Sequence, residues 1–198
     1  MNAQPAVISD ANTTWELPSR GRVGMFCLIS AESAIFTIFV VAYLFYVGKS
    51  LTGPMPKDVL HAPIFFTICL LSSSLTIHLA VTSLKRAKVG SFSLWWFLTL
   101  ALGASFLAGT AREWHHLICD EGLTIQTNLF GTTYYSLVGL HAFHVTVGLL
   151  GITTVLLFAL FGYVRQEHAE RVDVLALYWH FVDAVWVVVF TVVYVIGR

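Results

Sequence analysis

Six ionisable side chains lie inside apolar stretches of this sequence: Glu32, His78, His141, His144, His180 and Asp183. Such a group is expensive in hydrocarbon unless it is paired, hydrated or neutral, so each needs a partner or a purpose. His180 and Asp183 are spaced i, i+3 and share one helical face, as do His141 and His144. Glu113, beside Arg112, sits at the end of an apolar run, where water can reach it. Three chemistries are open. The polar stripes can face neighbouring helices and lock a bundle by hydrogen bonding. Glu32 can handle protons, alone or as a reservoir for a partner. The histidines can ligate haem or a metal. A bis-histidine haem needs one imidazole from each of two helices at matched depth, and His78 is offset from His141 and His144. An i, i+3 histidine pair can chelate, yet no third and fourth ligand stand out. Cys27, Cys69 and Cys119 are far apart and form no CxxC, which leaves no disulfide or zinc set. No catalytic residue and no metal site are therefore assigned.

The elements that carry these residues are transmembrane helices. Hydrophobic residues make up 57% of the chain and charged residues only 11%, against about a quarter charged in soluble domains. A bilayer core about 30 Å thick takes roughly 20 apolar residues as a helix. Five runs qualify, at about 23–47, 62–84, 93–111, 131–161 and 174–196, and they predict an all-α bundle of five transmembrane helices over 22–198. Residues 1–21 read as a polar cytoplasmic tail rather than a cleavable signal. The fourth run is long enough to require tilt, bending or protrusion. Loop cations orient the bundle. Arg20, Arg22, Lys85, Arg86, Lys88, Arg165 and Arg171 fall on the side of the N-terminus, and Lys49, Lys57, Arg112 and Arg198 on the other. The bias places the N-terminus in the cytoplasm and the C-terminus outside. With a helix rise of 1.5 Å per residue, Glu32 and Asp183 each lie about 14 Å from the cytoplasmic end of their runs, and His78 and His180 about 9 Å. These four are expected at similar depths, where packing together would let them hydrogen-bond. The net charge of zero gives nucleic acid no attraction.

Several strings resemble subunit III of the haem-copper oxidases. The fifth run reads Tyr178-Trp179-His180-Phe181-Val182-Asp183-Ala184-Val185-Trp186. It is similar to the last helix of that subunit in cytochrome c and quinol oxidases. Gly131-Thr132-Thr133-Tyr134-Tyr135, followed by Gly139-Leu140-His141-Ala142-Phe143-His144, resembles the family's GTTFF…GxHGxH pattern, with Ala142 in place of a glycine. Leu71 to His78 resembles its LLxSSxTxH stretch, and Ile29 to Phe36 its ISExxFF stretch, with Glu32 at the family's buried carboxylate. Glu113-Trp114 stands where the family has a Glu-aromatic pair.

The resemblance implies an accessory subunit of a bacterial inner-membrane terminal oxidase that reduces dioxygen and pumps protons. It implies no redox centre in this chain. Haem and copper would lie in partner subunits, and phospholipid would bind here. Direct contact is expected with subunit I, alongside subunit II and a small subunit IV. Its role would be to stabilise subunit I and sustain proton uptake, with Glu32 and Asp183 proton-linked and His78, His141, His144, His180 and Glu113 as polar support. Many members have seven helices, so in a five-helix form the lipid cleft is complete only if a partner supplies the missing two. The competing readings are a self-contained haem-binding membrane cytochrome and a proton-coupled carrier built on Glu32 and Asp183.

Overall fold

With no water in the bilayer to satisfy its amides, a spanning segment must bond its own backbone, and an apolar run therefore folds as a helix. The computed structural model describes residues 19–49, 54 and 62–197. Most of the predicted tail, residues 1–18, lies outside the described residues. Helix α1 spans Arg20–Tyr46, α2 Ile64–Lys85, α3 Val89–Cys119, α4 Leu129–Leu160 and α5 Ala169–Phe190. A 3-10 turn at Gln166–His168 leads into α5, and a π turn at Thr191–Ile196 prolongs it. All five helices are long and apolar enough to cross a membrane, and there is no strand among the described residues. The protein is an all-α membrane protein.

Helix α3 continues past Ala111 to Cys119, through Arg112, Glu113, His115 and His116. Those residues end the apolar run but remain helical, because leaving hydrocarbon removes the hydropathy signal and not the backbone ladder. The entry to α4 is set by Asn128, whose side-chain oxygen accepts from the Gly131 amide at 2.7 Å. That bond satisfies one of the free N–H groups of a helix start. Helix α4 closes at Gly162, held at φ +77°, with Tyr163 N–H donating to the Phe158 carbonyl at 2.9 Å. Only a residue without Cβ takes that backbone cheaply.

Helices α2, α3, α4 and α5 pack in a ring, each against the next, and α5 returns to α2. Helix α1 lies outside this ring, against α4 and α5. Only Phe36 and Tyr43 of α1 are buried. Tryptophans tie the ring together. The Trp96 indole N–H donates to the Ile152 carbonyl at 2.8 Å, joining α3 to α4. Those of Trp179 and Trp186 donate to Ser73 at 2.8 Å and Thr67 at 3.2 Å, joining α5 to α2. Trp179 is fully buried, and its ring lies between two glycines. A Cβ on Gly103 of α3 or on Gly148 of α4 would stand 2.8 Å from that indole. Small residues thus bring the backbones close enough to enclose the ring.

Candidate functional site

The ionisable residues collect near the middle of the helices, in separate groups. Glu32 stands twelve positions into α1, about 18 Å along it, and His144 near the midpoint of α4. Glu32 Oε2 is 3.1 Å from His144 Nε2. The other ring nitrogen, Nδ1, is 2.8 Å from the Leu140 carbonyl one turn back. The Glu32 side chain is 22% exposed and that of His144 only 7%, so the pair lies at the junction of α1 with the ring. Phe36 packs on the imidazole with centroids 5.0 Å apart, and Tyr178 of α5 donates to the His144 carbonyl at 3.2 Å.

The second group lies between α2 and α5. Ser74 donates to Asp183 Oδ2. Its one hydroxyl proton is then used, so His180 Nδ1, 3.0 Å from the same oxygen, must be the donor there. Asp183 is 3% exposed, and its Oδ1 is buried with no hydrogen-bond partner. His78 is exposed on α2, where it lines a cavity of about 360 Å³ with His180, Arg22, Asp173 and Phe26. At the rim Asp173 bridges Arg22 of α1 and Lys85 of α2, the latter at 3.1 Å, and Gln166 donates to the Lys85 carbonyl at 2.8 Å.

The expected meeting of Glu32 with His78, His180 and Asp183 is not what the fold provides. Helix α1 packs on α4 and α5, away from α2, and so Glu32 faces His144 while Asp183 faces Ser74. His141 enters neither group. It is fully buried, both ring nitrogens lack a hydrogen-bond partner, and the ring stacks on Trp186 at 4.9 Å with Phe106 edge-on at 5.8 Å. At the opposite end of the bundle, Glu113 Oε1 accepts from Tyr194 at 2.7 Å and from Tyr134 at 3.3 Å. This ties α3 to the π turn after α5 and to the start of α4. Among the described residues, no group of three or more His, Cys, Asp or Glu is arranged to hold a metal ion. The arrangement thus supplies two separate sets of hydrogen-bonded polar groups inside the bundle, Glu32 with His144 and Asp183 with Ser74 and His180.

A family model described as cytochrome c oxidase subunit III matches residues 14–198. The chain belongs to the cytochrome c oxidase subunit III family. It is 35% identical over 177 residues to cytochrome c oxidase subunit 3 of Alkalihalophilus pseudofirmus, covering 88% of this chain and 86% of that protein. To the Synechocystis cytochrome c oxidase subunit 3 it is 37% identical, over 96% of this chain and 86% of the relative. Cytochrome bo(3) ubiquinol oxidase subunit 3 of Pseudomonas aeruginosa is 33% identical, over 88% and 84%. Subunits of both cytochrome c oxidases and ubiquinol oxidases thus occur among the relatives. The readings as a self-contained cytochrome or as a carrier find no support.

Seen in three dimensions, the string that resembles the end of subunit III is the α5 face turned to its neighbours. Tyr178, Trp179, Val182, Asp183 and Trp186 are all buried. Phe181 is partly buried against the same core. Three residues of these polar contacts are not singled out by the sequence. Ser74 stands one turn from His78 at i, i+4, but a lone hydroxyl in an apolar run carries no sign of which helix it will meet. Asp173 borders an apolar run that shares its side of the membrane with Arg22 and Lys85. Tyr194 carries no local signal, because its partner Glu113 is 81 residues away in sequence.

Proposed function

We propose that this member of the subunit III family stabilises subunit I of a proton-pumping haem-copper oxidase in a bacterial inner membrane, binds phospholipid and sustains proton uptake. Haem and copper reside in the partner subunits, with subunit II and a small subunit IV completing the complex. The N-terminus faces the cytoplasm. The observation that carries the proposal is Glu32, held at mid-helix by His144 and still one-fifth open on the outer side of the ring. Asp183, joined to His180 through Ser74, is the second proton-linked group. The cavity bounded by His78, His180, Arg22 and Asp173 lies on the side given to the cytoplasm, where protons would be collected. A mostly apolar groove of about 210 Å³ between α1 and α5, lined by Phe36, Val40, Val185 and Val189 with Ser33 and Thr37, whose hydroxyls donate to their own helix, supports lipid binding because it suits an acyl chain.

The test is made on the intact complex. Glu32→Ala should keep the haem content, abolish labelling of this subunit by a membrane-permeant carbodiimide, and slow proton uptake during sustained turnover. Co-purified subunits identified by mass should include subunit I. Loss of all haem in the variant, or recovery of the chain without an oxidase, would refute the proposal.

A further inference from the structure

We infer that Glu32 and His144 hold one proton in common. The argument rests on donors and acceptors. A backbone carbonyl can only accept, so the 2.8 Å contact between His144 Nδ1 and the Leu140 oxygen requires a hydrogen on Nδ1. In a neutral imidazole the other nitrogen, Nε2, then bears a lone pair. That lone pair is 3.1 Å from Glu32 Oε2. A carboxylate there would set lone pair against lone pair. The contact therefore needs a hydrogen between the two atoms, placed on the carboxyl or on an imidazolium. The two forms differ by a shift of less than the 3.1 Å separation, and in both the pair is neutral overall. An empty pair would carry one negative charge at mid-membrane and a doubly loaded pair one positive charge, either of which is costly in hydrocarbon.

The surroundings keep the ring from escaping this geometry. Phe36 from α1 and Phe143 from α4 flank the imidazole at 5.0 and 5.7 Å. The titratable neighbours are His141 on α4 and Tyr178 on α5, and the Tyr178 hydroxyl is committed to the His144 carbonyl at 3.2 Å. His144 is thus the positioning residue for Glu32. This deepens the proposed role of Glu32 and rests on it only for the consequence in turnover.

Infrared spectroscopy of the intact oxidase complex, with ring-labelled histidine, tests the proton count. Glu32→Gln supplies the difference spectrum, since its amide can donate to Nε2 in the same place and the fold is kept. At the pH of turnover, the wild type should show one of two signatures. One is a protonated Glu32 carboxyl with an Nδ1-protonated neutral imidazole; the other is a carboxylate with an imidazolium. In the first case, His144→Phe should move the carboxyl band to higher frequency, as expected when its acceptor is lost. A wild-type carboxylate beside a neutral imidazole, or an imidazole protonated only on Nε2, would overturn the inference. If the shared-proton signature is found but Glu32→Ala leaves proton uptake unchanged, the pair stands and the role in uptake falls. If uptake slows while the pair proves empty, the role stands and the shared proton falls.

Discussion

Gly148→Ala is the sharpest single perturbation of the bundle. The added methyl would stand 2.8 Å from Cε3 and Cζ3 of Trp179 and 3.4 Å from the Tyr178 ring. The indole has no room to retreat. On its far side, a Cβ on Gly103 would already be 2.8 Å away, so the ring fills the space between α3 and α4. Helix α4 must move out or α5 must rotate. Overpacking a filled core costs about 1–3 kcal/mol. If the indole tips, its 2.8 Å bond to Ser73 is lost as well, at about 1 kcal/mol more. Together these put the destabilisation at roughly 2–4 kcal/mol. Replacing glycine by alanine in a helix interior normally favours the helix by up to about 1 kcal/mol. Gly24→Ala is the control, since nothing lies within 4 Å of its Cβ position. Thermal release of this subunit from the purified oxidase, followed by gel analysis of each heated sample, reads the effect. Gly148→Ala should release at lower temperature and Gly24→Ala at the wild-type temperature or higher. In a Trp179→Phe background the clash is relieved, and the cost of Gly148→Ala should shrink by an amount typical of contacting pairs, about 0.5–3 kcal/mol. Equal release temperatures for Gly148→Ala and wild type would refute the claim that the indole is clamped between two glycines.

The same assay reads the polar contacts. Asp173→Asn removes the anion between Arg22 and Lys85, whose side chains are 44% and 51% exposed; partly solvated pairs are worth about 0–1 kcal/mol each, so the shift should be small and should vanish in high salt. Tyr194→Phe should destabilise by about 1–3 kcal/mol, the range for taking the donor from a buried acceptor, and should exceed Tyr134→Phe, because Tyr194 reaches Glu113 at 2.7 Å and Tyr134 at 3.3 Å. Ser74→Ala leaves buried Asp183 without its donor; it should lower the release temperature, while Ser74→Ala combined with Asp183→Asn should lower it less, because the variant pair holds no ionisable group.

How far sequence carries the site depends on which coordinate of a helix a residue's position encodes. Depth is encoded directly. The apolar runs place Glu32, His180 and Asp183 well inside the membrane, and the structure puts all three near mid-helix. Relative facing within one helix is encoded too. The i, i+3 spacing of His180 and Asp183 predicts a common face, and one hydroxyl, that of Ser74, meets both. The rotation of one helix against another is not encoded by polarity when the helix is apolar all round, as α1, α4 and α5 nearly are. That coordinate is decided by volume. Trp179 can enter only where Gly103 and Gly148 leave a slot, and this turns Asp183 toward α2. Helix α1 then finds its seat on α4 and α5, with Phe36 and Tyr43 inward, and Glu32 is carried to His144 rather than to Asp183. The pairing of two polar residues 112 positions apart in sequence is thus a consequence of where an indole fits. A variant that moves Trp179 should therefore disturb the Ser74–Asp183 contact before it disturbs Glu32–His144, because α5 carries the first of these pairs and only braces the second through Tyr178.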